Sequence, residues 1–554
     1  MILVFIYCLF LFVLLTPFGL ATASLLKLKK LHPVLNPLLG LGFLSIVFSV
    51  IAPFYRLNIE VFLLILLASI YLSIQYKPLL ITNYKLIVSE FQNLDVFYRF
   101  LWILVVLLAC VKSSGTPFVI DNESYYLQTI NWINEYGFVK GVANLHIYFA
   151  QTSTWHVLQA GLNFGFLTDR INDLNAFVVI VCSFFYIIKF QLNRQNHWIG
   201  FLLAFNVLLF QFIDAPSPDL PLILIFPIIL YYFTKKDNRD GLSISIFLFL
   251  FLVVIKLTIL PLGLLFIFWI RKRKKVVLFL TIGIIFLIPW IVKNSIISGY
   301  PFYPFNWIGL DVDWLVPEKL RSFAEEITVK AGYFESDYHG GGTTFLQKLH
   351  SWINLSGINA VFNRGIIILF VVAFVTKSFQ EKKRFRIIYW VLLVHFIFIL
   401  FTSPQYRFFL IEFMFLSAFL IQDGVQYLKN KYLSRPILLI SCLLPIVFLF
   451  PMTIPLTDNL HHQTITKYQI SQLFVPHPNT KFPEMEYKAV TIGNLDFNSP
   501  KNNFMLFGSG AGDLPCVNEV YMNYILNKFE IYPQLRTDNV KDGFYSKPTQ
   551  HDAL

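Results

Sequence analysis

The stretch ILVFIYCLFLFVLLTPFGLA, at residues 2–21, decides the fold class of this chain. It carries no charged side chain over a length that matches the roughly 20 apolar residues a helix needs to cross a bilayer. A secretory signal peptide begins with basic residues and this stretch has none, so we expect it to be a retained membrane span. Apolar runs of similar length recur along the chain as far as residue 453.

The composition of the 554 residues agrees with this interpretation. Hydrophobic residues make up 56% and charged residues only 14%, whereas a soluble domain has about a quarter charged residues. The mean hydropathy is +0.63. We therefore predict an α-helical polytopic membrane protein with about fourteen transmembrane helices. The predicted spans are residues 2–21, 36–53, 61–76, 99–113, 174–190, 198–213, 219–233, 242–256, 257–270, 276–292, 364–377, 387–402, 408–425 and 436–453.

The charges of the connecting segments predict the orientation. Seven short loops together hold 24 Lys and Arg against 6 Asp and Glu, whereas three long segments hold 15 against 22. Because basic loops remain in the cytoplasm, the long segments 113–173, 293–362 and 454–554 should face outward. The net charge of +12 then reflects orientation, and we expect no nucleic-acid partner. We expect a multi-pass protein of a bacterial inner (cytoplasmic) membrane.

Two domains follow from this pattern. Residues 1–453 form the predicted multi-span transmembrane domain with the large outer loops 113–173 and 293–362. Residues 454–554 differ in composition and contain strand-like stretches such as YKAVTI at 487–492. Their length suits a small domain, and we predict a small mixed α/β extracytoplasmic domain there.

Carboxylates at the predicted outer span ends are the first candidates for chemistry. The stretch TPFVIDNESYY, residues 116–126, places Asp121 and Glu123 just beyond a span. Asp219 ends the tight turn DAPSPD, residues 214–219. Helix capping is the alternative for Asp219, since acids at helix starts satisfy free N–H groups. We interpret Asp121, Glu123 and Asp219 as catalytic candidates.

Cations recur at the same predicted outer ends. Charges in or beside a span are costly and are therefore functional candidates. For Lys256 the alternative is snorkelling to the interface, and for Arg407 it is pairing with Glu412, a poor spacing on one helix. A guanidinium suits bidentate phosphate binding. We interpret Lys256, Lys293 and Arg407 as ligands of a phosphorylated amphiphile in the outer leaflet.

Aromatic and imidazole side chains in the outer loops are candidates for substrate binding. They are Tyr126, Trp132, His146, His156 and Tyr303. Neither the histidines nor the five cysteines have metal-ligand spacing, so we predict no metal site and no structural disulfide. A divalent cation stays open as a cofactor.

Five short segments together resemble a poorly characterised bacterial membrane-protein family and, in layout, the GT-C glycosyltransferases. They are DNESYY at 121–126, SPDLP at 217–221, IKLT at 255–258, GYPFYP at 299–304 and PQYRF at 404–408. The resemblance implies a GT-C-like helical scaffold. It also implies transfer of a sugar from a polyprenyl-phosphate donor, with a carboxylate of the first outer loop acting on the acceptor.

The resulting hypothesis is a membrane glycosyltransferase that moves a sugar from a polyprenyl-phosphate-linked donor to an extracytoplasmic glycan, lipid or protein. Membrane lipids are its other expected partners. One alternative is a polysaccharide polymerase or ligase, which uses the same outer-face site with an oligosaccharide donor. Another is a non-enzymatic transporter or flippase of lipid-linked sugars. A transporter predicts charges near mid-membrane and an internal repeat, whereas the charges here lie at predicted span ends.

Overall fold

Helices make up most of the structure. A computed structural model describes residues 1–192, 198–235, 239–334, 344–428, 433–453, 464–501 and 504–549. Within these ranges the first α-helices are α1 Ile2–Leu25, α2 Asn36–Ile51, α3 Ile59–Gln75, α4 Lys77–Gln92, α5 Val96–Ser113, α6 Leu127–Glu135, α7 Val142–Leu145, α8 Thr154–Leu162, α9 Leu174–Leu192, α10 Trp198–Phe201 and α11 Asn206–Leu209.

The later α-helices are α12 Asp219–Thr234, α13 Arg239–Ile255, α14 Leu264–Trp269, α15 Arg273–Ser298, α16 Glu318–Phe334, α17 Phe345–Ile353, α18 Gly357–Val375, α19 Lys377–Glu381, α20 Lys383–Phe401, α21 Leu410–Tyr427, α22 Ser434–Leu443 and α23 Glu519–Phe529. Tighter 3-10 turns extend several of them. One π-helical turn, Asn122–Tyr126, precedes α6.

Seven helices of the described ranges are long and apolar enough to cross a membrane, which agrees with an α-helical membrane protein. They are Ile2–Leu25, Pro33–Ile51, Val96–Ser113, Leu174–Leu192, Arg273–Ser298, Gly357–Val375 and Lys383–Phe401. An eighth candidate is the pair α3 and α4, which meet at an angle of 90°. The other predicted spans fall on shorter helices or on α21, so the count of about fourteen stays a prediction.

Close packing of α1 against α2 depends on glycine. A side chain at Gly19 would place its Cβ atom 1.9 Å from the backbone oxygen of Asn36. A side chain at Gly40 would place its Cβ atom 2.3 Å from the backbone oxygen of Leu15. Small residues at such positions let two helix backbones approach closely inside a membrane.

A break in the helical backbone separates α13 from the turn that follows it. Lys256 has an extended conformation (φ −154°, ψ 119°), and a 3-10 turn, Leu257–Gly263, continues from it toward α14. Pro261 within that turn lacks the N–H group that a regular helix would need there. Because α13 packs against α12, the break lies close to the start of α12.

The C-terminal segment contains three antiparallel strand pairs. They are β1 Met452–Thr453 with β2 Thr464–Ile465, β3 Tyr487–Ile492 with β4 Leu495–Pro500, and β5 Ile531–Leu535 with β6 Phe544–Pro548. The second pair is a hairpin whose turn contains Gly493 at φ +63°, where glycine is favoured. The domain boundary predicted at residue 453 adjoins residues 454–463, which lie outside the described ranges.

Candidate functional site

Four charged side chains from distant parts of the sequence meet at one end of the helix bundle. Arg407 donates to Asp121 over 2.5 Å, and its Nε lies 3.8 Å from the carboxylate of Asp219. Lys256 pairs with Asp219 as well. We call Asp121, Asp219, Lys256 and Arg407 the charge cluster.

Helix ends place these four residues. Asp121 immediately precedes the π-helical turn that follows α5, and Asp219 is the first residue of α12. Lys256 occupies the break after α13. Arg407 lies in the short turn Tyr406–Phe408 between α20 and α21. Helix ends leave backbone groups free of internal bonds, so these positions accept polar side chains that a span interior would exclude.

Capping does not explain the carboxylate of Asp219. Pro218, at the N-cap position of α12, has no side chain that could cap the helix, and the backbone N–H of Asp219 donates instead to the hydroxyl of Ser217 over 3.4 Å. The carboxylate instead faces Lys256 and Arg407. The capping alternative for this residue is therefore not what the structure contains.

The alternatives for the two cations also differ from their observed contacts. Glu412 pairs with His395 inside the bundle rather than with Arg407. Lys256 turns toward Asp219, and its ammonium lies 3.7 Å above the ring of Phe408. An aromatic face stabilises a cation at this distance, so Phe408 helps to hold Lys256 in the charge cluster.

The charge cluster pairs two acids with two bases and is partly exposed. The side chain of Asp219 is 3% exposed, whereas those of Asp121, Lys256 and Arg407 are 20%, 21% and 23% exposed. An accessible carboxylate beside two cations has the parts for proton transfer and for binding an anion. Asp121 is the more accessible of the two acids.

Two of the predicted substrate-binding residues flank the charge cluster. The hydroxyl of Tyr126 lies 3.4 Å from a carboxylate oxygen of Asp121, and its ring lies 4.7 Å from that of His156. The Nδ1 atom of His156 accepts from the backbone of Ser153 over 3.3 Å, which closes a capping box at the start of α8. His156 is thus both a helix cap and a neighbour of the cluster.

Lys293 lies near this site but outside the charge cluster. Its buried ammonium donates to the carbonyl oxygen of Thr152. The charges of Lys293 and Asp121 both act on the pKa of His156, which Lys293 lowers and Asp121 raises, so Lys293 lies near the cluster. The predicted phosphate-binding role of Lys293 would require it to exchange a backbone carbonyl for a ligand.

The remaining candidates have their described contacts elsewhere. Glu123 binds residues of the C-terminal segment. The ring of Trp132 lies 5.7 Å from Phe544, and that of His146 lies 4.4 Å from Tyr521. Tyr303 is buried in the segment after α15. The contacts described for these four residues, Glu123, Trp132, His146 and Tyr303, therefore lie away from the cluster.

A second acid–lysine pair was missed by the sequence analysis. Lys112 and Asp214 form a buried ion pair, and the backbone N–H of Phe118 donates to the same carboxylate over 3.3 Å. The pair ties the end of α5 to the turn that ends at Asp219. The signal in the sequence is a lysine in the last turn of a helix that is apolar from Phe100 to Val111.

The described ranges contain no group of three or more His, Cys, Asp or Glu side chains that could hold a metal ion. The five cysteines are free and buried.

Burial of the two outer-loop histidines predicts a pH-dependent stability. Burial lowers the pKa of His146 and of His156 to about 3, so both stay neutral when folded. An unfolded histidine titrates near 6.5. Because the unfolded chain then binds more protons, each histidine makes the protein less stable as the pH falls from about 6.5 toward about 3.

The variant His146→Phe keeps the aromatic contact with Tyr521 and removes the titration. We expect the free energy of unfolding of this variant, measured relative to that of wild type, to be about 2 kcal/mol higher at pH 5 than at pH 7. Burial raises the pKa of Asp173 to about 7, but that group titrates in both proteins and cancels in the difference. Reversible unfolding in detergent at the two pH values measures the effect. A pH-independent difference between the two proteins would contradict it.

Comparison with known proteins identifies a family but no function. A family model described as a domain of unknown function, DUF8201, matches residues 1–415, and the chain belongs to this family. The matched region contains the whole charge cluster and ends before the C-terminal segment. No curated protein and no solved structure matches the chain.

Proposed function

We propose that this DUF8201 member is a membrane glycosyltransferase of the GT-C type. It would transfer a sugar from a polyprenyl-phosphate-linked donor to an extracytoplasmic glycan, lipid or protein. The observation that carries the proposal is the convergence of Asp121, Asp219, Lys256 and Arg407 at one end of an apolar helix bundle. Carboxylates for an acceptor and cations for a phosphate are the two groups that this reaction needs.

In the proposed reaction Asp121 is the general base. An acceptor hydroxyl oxygen attacks the anomeric carbon of the donor, and its proton passes to the carboxylate of Asp121. The bond between that carbon and the phosphate oxygen breaks, and the oxygen leaves with the electron pair. A general base must come within hydrogen-bond reach of the acceptor. Asp121 suits this role better than Asp219 because its side chain is 20% exposed, whereas that of Asp219 is 3% exposed.

Lys256 and Arg407 offset the charge that builds up on the leaving phosphate. Both cations face carboxylates in the structure. A donor phosphate would compete with Asp121 for Arg407, because guanidinium groups bind phosphate and carboxylate in the same bidentate manner. Donor binding would then free Asp121 to act as the base.

The proposed orientation places the charge cluster on the periplasmic side of the inner membrane. The support is the charge of the loops, since basic residues are concentrated in the short loops. About fourteen spans, including the shorter helices, complete the proposed topology.

A lipid-linked sugar transporter is the second candidate. The break at Lys256, which interrupts an apolar segment with an extended residue, favours it, because transporters bind substrates at broken helices. A polymerase or ligase would use the charge cluster in the same way with an oligosaccharide donor. The products separate these candidates, since a transporter releases its sugar still linked to the lipid.

Binding of the bare lipid phosphate tests the proposal without knowledge of the sugar. The purified protein in nanodiscs should bind polyprenyl phosphate at least about tenfold more tightly than the uncharged polyprenol, a difference of about 1.4 kcal/mol. Arg407→Gln should abolish this preference, whereas Arg364→Gln, in the second turn of α18, should retain it. Equal binding of phosphate and alcohol by wild type would refute a phosphate site.

Transfer itself is then assayed with a panel of labelled polyprenyl-phosphate sugars and an envelope fraction as acceptor. We expect one donor to release polyprenyl phosphate and to pass its label to the acceptor. Movement of intact donor across a liposome membrane without release of polyprenyl phosphate would favour the transporter instead.

A further inference from the structure

The C-terminal segment, which lies beyond the family-matched region, contacts the turn that carries Asp121. The side chain of Asn122 donates to the carbonyl of Asn479 over 2.8 Å. Ser124 donates to the carbonyl of Phe507 over 2.9 Å, and Gln128 donates to that of Gly512 over 2.8 Å. Two side chains of this turn and one at the start of α6 are therefore engaged by segments more than 350 positions later in the chain.

Glu123 is the centre of this contact. Its carboxylate accepts from the hydroxyl of Thr480 over 2.8 Å and from the backbone N–H of Lys481 over 2.7 Å. Its backbone carbonyl accepts from the N–H groups of Ser509 and Gly510 over 3.0 Å and 2.9 Å. One residue thus joins two separate stretches of the C-terminal segment to the turn.

The bonds of Glu123 matter because the residue is buried. It is 2% exposed, and desolvation raises the pKa of its carboxyl group, while Lys481, Thr480 and Asn122 oppose that rise as donors. A buried acceptor that is lost leaves its donors unsatisfied, which costs more than the bond itself contributes. The contact is therefore specific for a side chain with acceptors at this position.

The spacing of Glu123 and Asp121 links this contact to the charge cluster. Positions two apart on a helical turn do not face each other. Glu123 faces the C-terminal segment, and Asp121 faces Arg407. Holding one side of the turn therefore sets the direction of the other.

We propose that Glu123 is a positioning residue through which residues 479–481 and 507–512 hold Asp121 beside Arg407. The consequence for transfer rests on the proposed function, whereas the consequence for the turn does not. The site then needs the C-terminal segment in addition to the family-matched region, residues 1–415.

Two matched variants at one position test the contact. Thr480→Val removes the donor hydroxyl at constant shape, and Thr480→Ser restores it. We expect backbone amides of residues 122–128 to exchange hydrogen about tenfold faster in Thr480→Val and in Glu123→Gln than in wild type. Thr480→Ser should exchange as wild type does, and amides of α20 should exchange equally in all four proteins. Unchanged exchange at 122–128 in both Thr480→Val and Glu123→Gln would overturn the proposal.

Transfer kinetics test the positioning role separately. We expect Thr480→Val to lower kcat about tenfold with an unchanged KM for the donor, because the base is misplaced while the phosphate ligands stay. Thr480→Ser should recover kcat. If wild type transfers no sugar, the proposed function fails and the exchange measurement alone decides the contact. Faster exchange with an unchanged kcat would show that the contact is structural only and would overturn the positioning role.

Discussion

Asp121→Asn should abolish sugar transfer while the protein still folds and inserts. The amide has nearly the shape of the carboxylate, and its oxygen still accepts from Arg407, which lies 2.5 Å from Asp121. It cannot accept the proton of an acceptor hydroxyl. Loss of a general base typically costs a factor of 100 to 10,000, and we expect kcat/KM to fall by about a thousandfold or more.

The effect on stability should be small in comparison. The ion pair of Asp121 with Arg407 is partly exposed, and such pairs contribute about 1 kcal/mol or less. Binding of polyprenyl phosphate should persist or improve, because Arg407 loses a competing carboxylate. Initial rates of transfer and binding of the lipid phosphate, measured on the same preparation, separate the two effects.

A matched control is Asp169→Asn, in the same outer segment. The side chain of Asp169 is 78% exposed and its ion pair with Arg170 is long, at 3.9 Å. We expect this variant to transfer sugar at the wild-type rate. Wild-type activity in Asp121→Asn would remove Asp121 from the mechanism, and Asp219 would become the remaining carboxylate of the charge cluster.

The sequence was most informative where the cost of a charge is high. Asp121, Asp219, Lys256 and Arg407 were each selected because a charge at the end of an apolar run needs a partner. The structure supplies those partners. Their pairing could not be derived, because it depends on how helices separated by up to 286 positions pack together.

Glu123 shows the opposite case. Asp121 and Glu123 lie two positions apart just beyond the same predicted span, and the sequence therefore suggests a shared catalytic role. Its partner Thr480 lies 357 positions away in a segment with no recognisable motif. Similarly, the sequence makes Trp132 and His146 candidates for substrate binding, whereas the structure places them against Phe544 and Tyr521 of the C-terminal segment.

Helix lengths were the other difference. Apolar composition predicted spans at residues 198–213 and 257–270, and the structure has short helices and 3-10 turns in both regions. An apolar composition fits a segment buried inside the protein as well as a segment in contact with lipid, and it does not distinguish the two. Residues 198–203 are almost fully buried by the protein itself, so their apolar character does not require lipid on that side.

The pair formed by Lys256 and Asp219 allows stability and function to be separated. Lys256→Met keeps the length of the side chain, and among the described residues it leaves Arg407, at 3.8 Å, as the cation beside Asp219, which is 3% exposed. Breaking a buried ion pair by removing one partner costs about 3 to 5 kcal/mol. Because Arg407 still offsets part of the charge of Asp219, we expect a loss of stability of about 3 kcal/mol, at the lower end of this range. Transfer should also be lost because a cation beside the leaving phosphate is missing.

The double variant Lys256→Met with Asp219→Asn removes the orphaned charge. We expect it to recover most of the lost stability, since a neutral amide in the same place needs no counter-ion. It should not recover transfer, because the phosphate still lacks its lysine. Lys377→Met, at a side chain that is 83% exposed, serves as the control with unchanged stability and activity. Unfolding in detergent and initial transfer rates report the two quantities. Recovery of both would mean that Lys256 only neutralises Asp219, and recovery of neither would mean that their pairing is not what stabilises this end of the bundle.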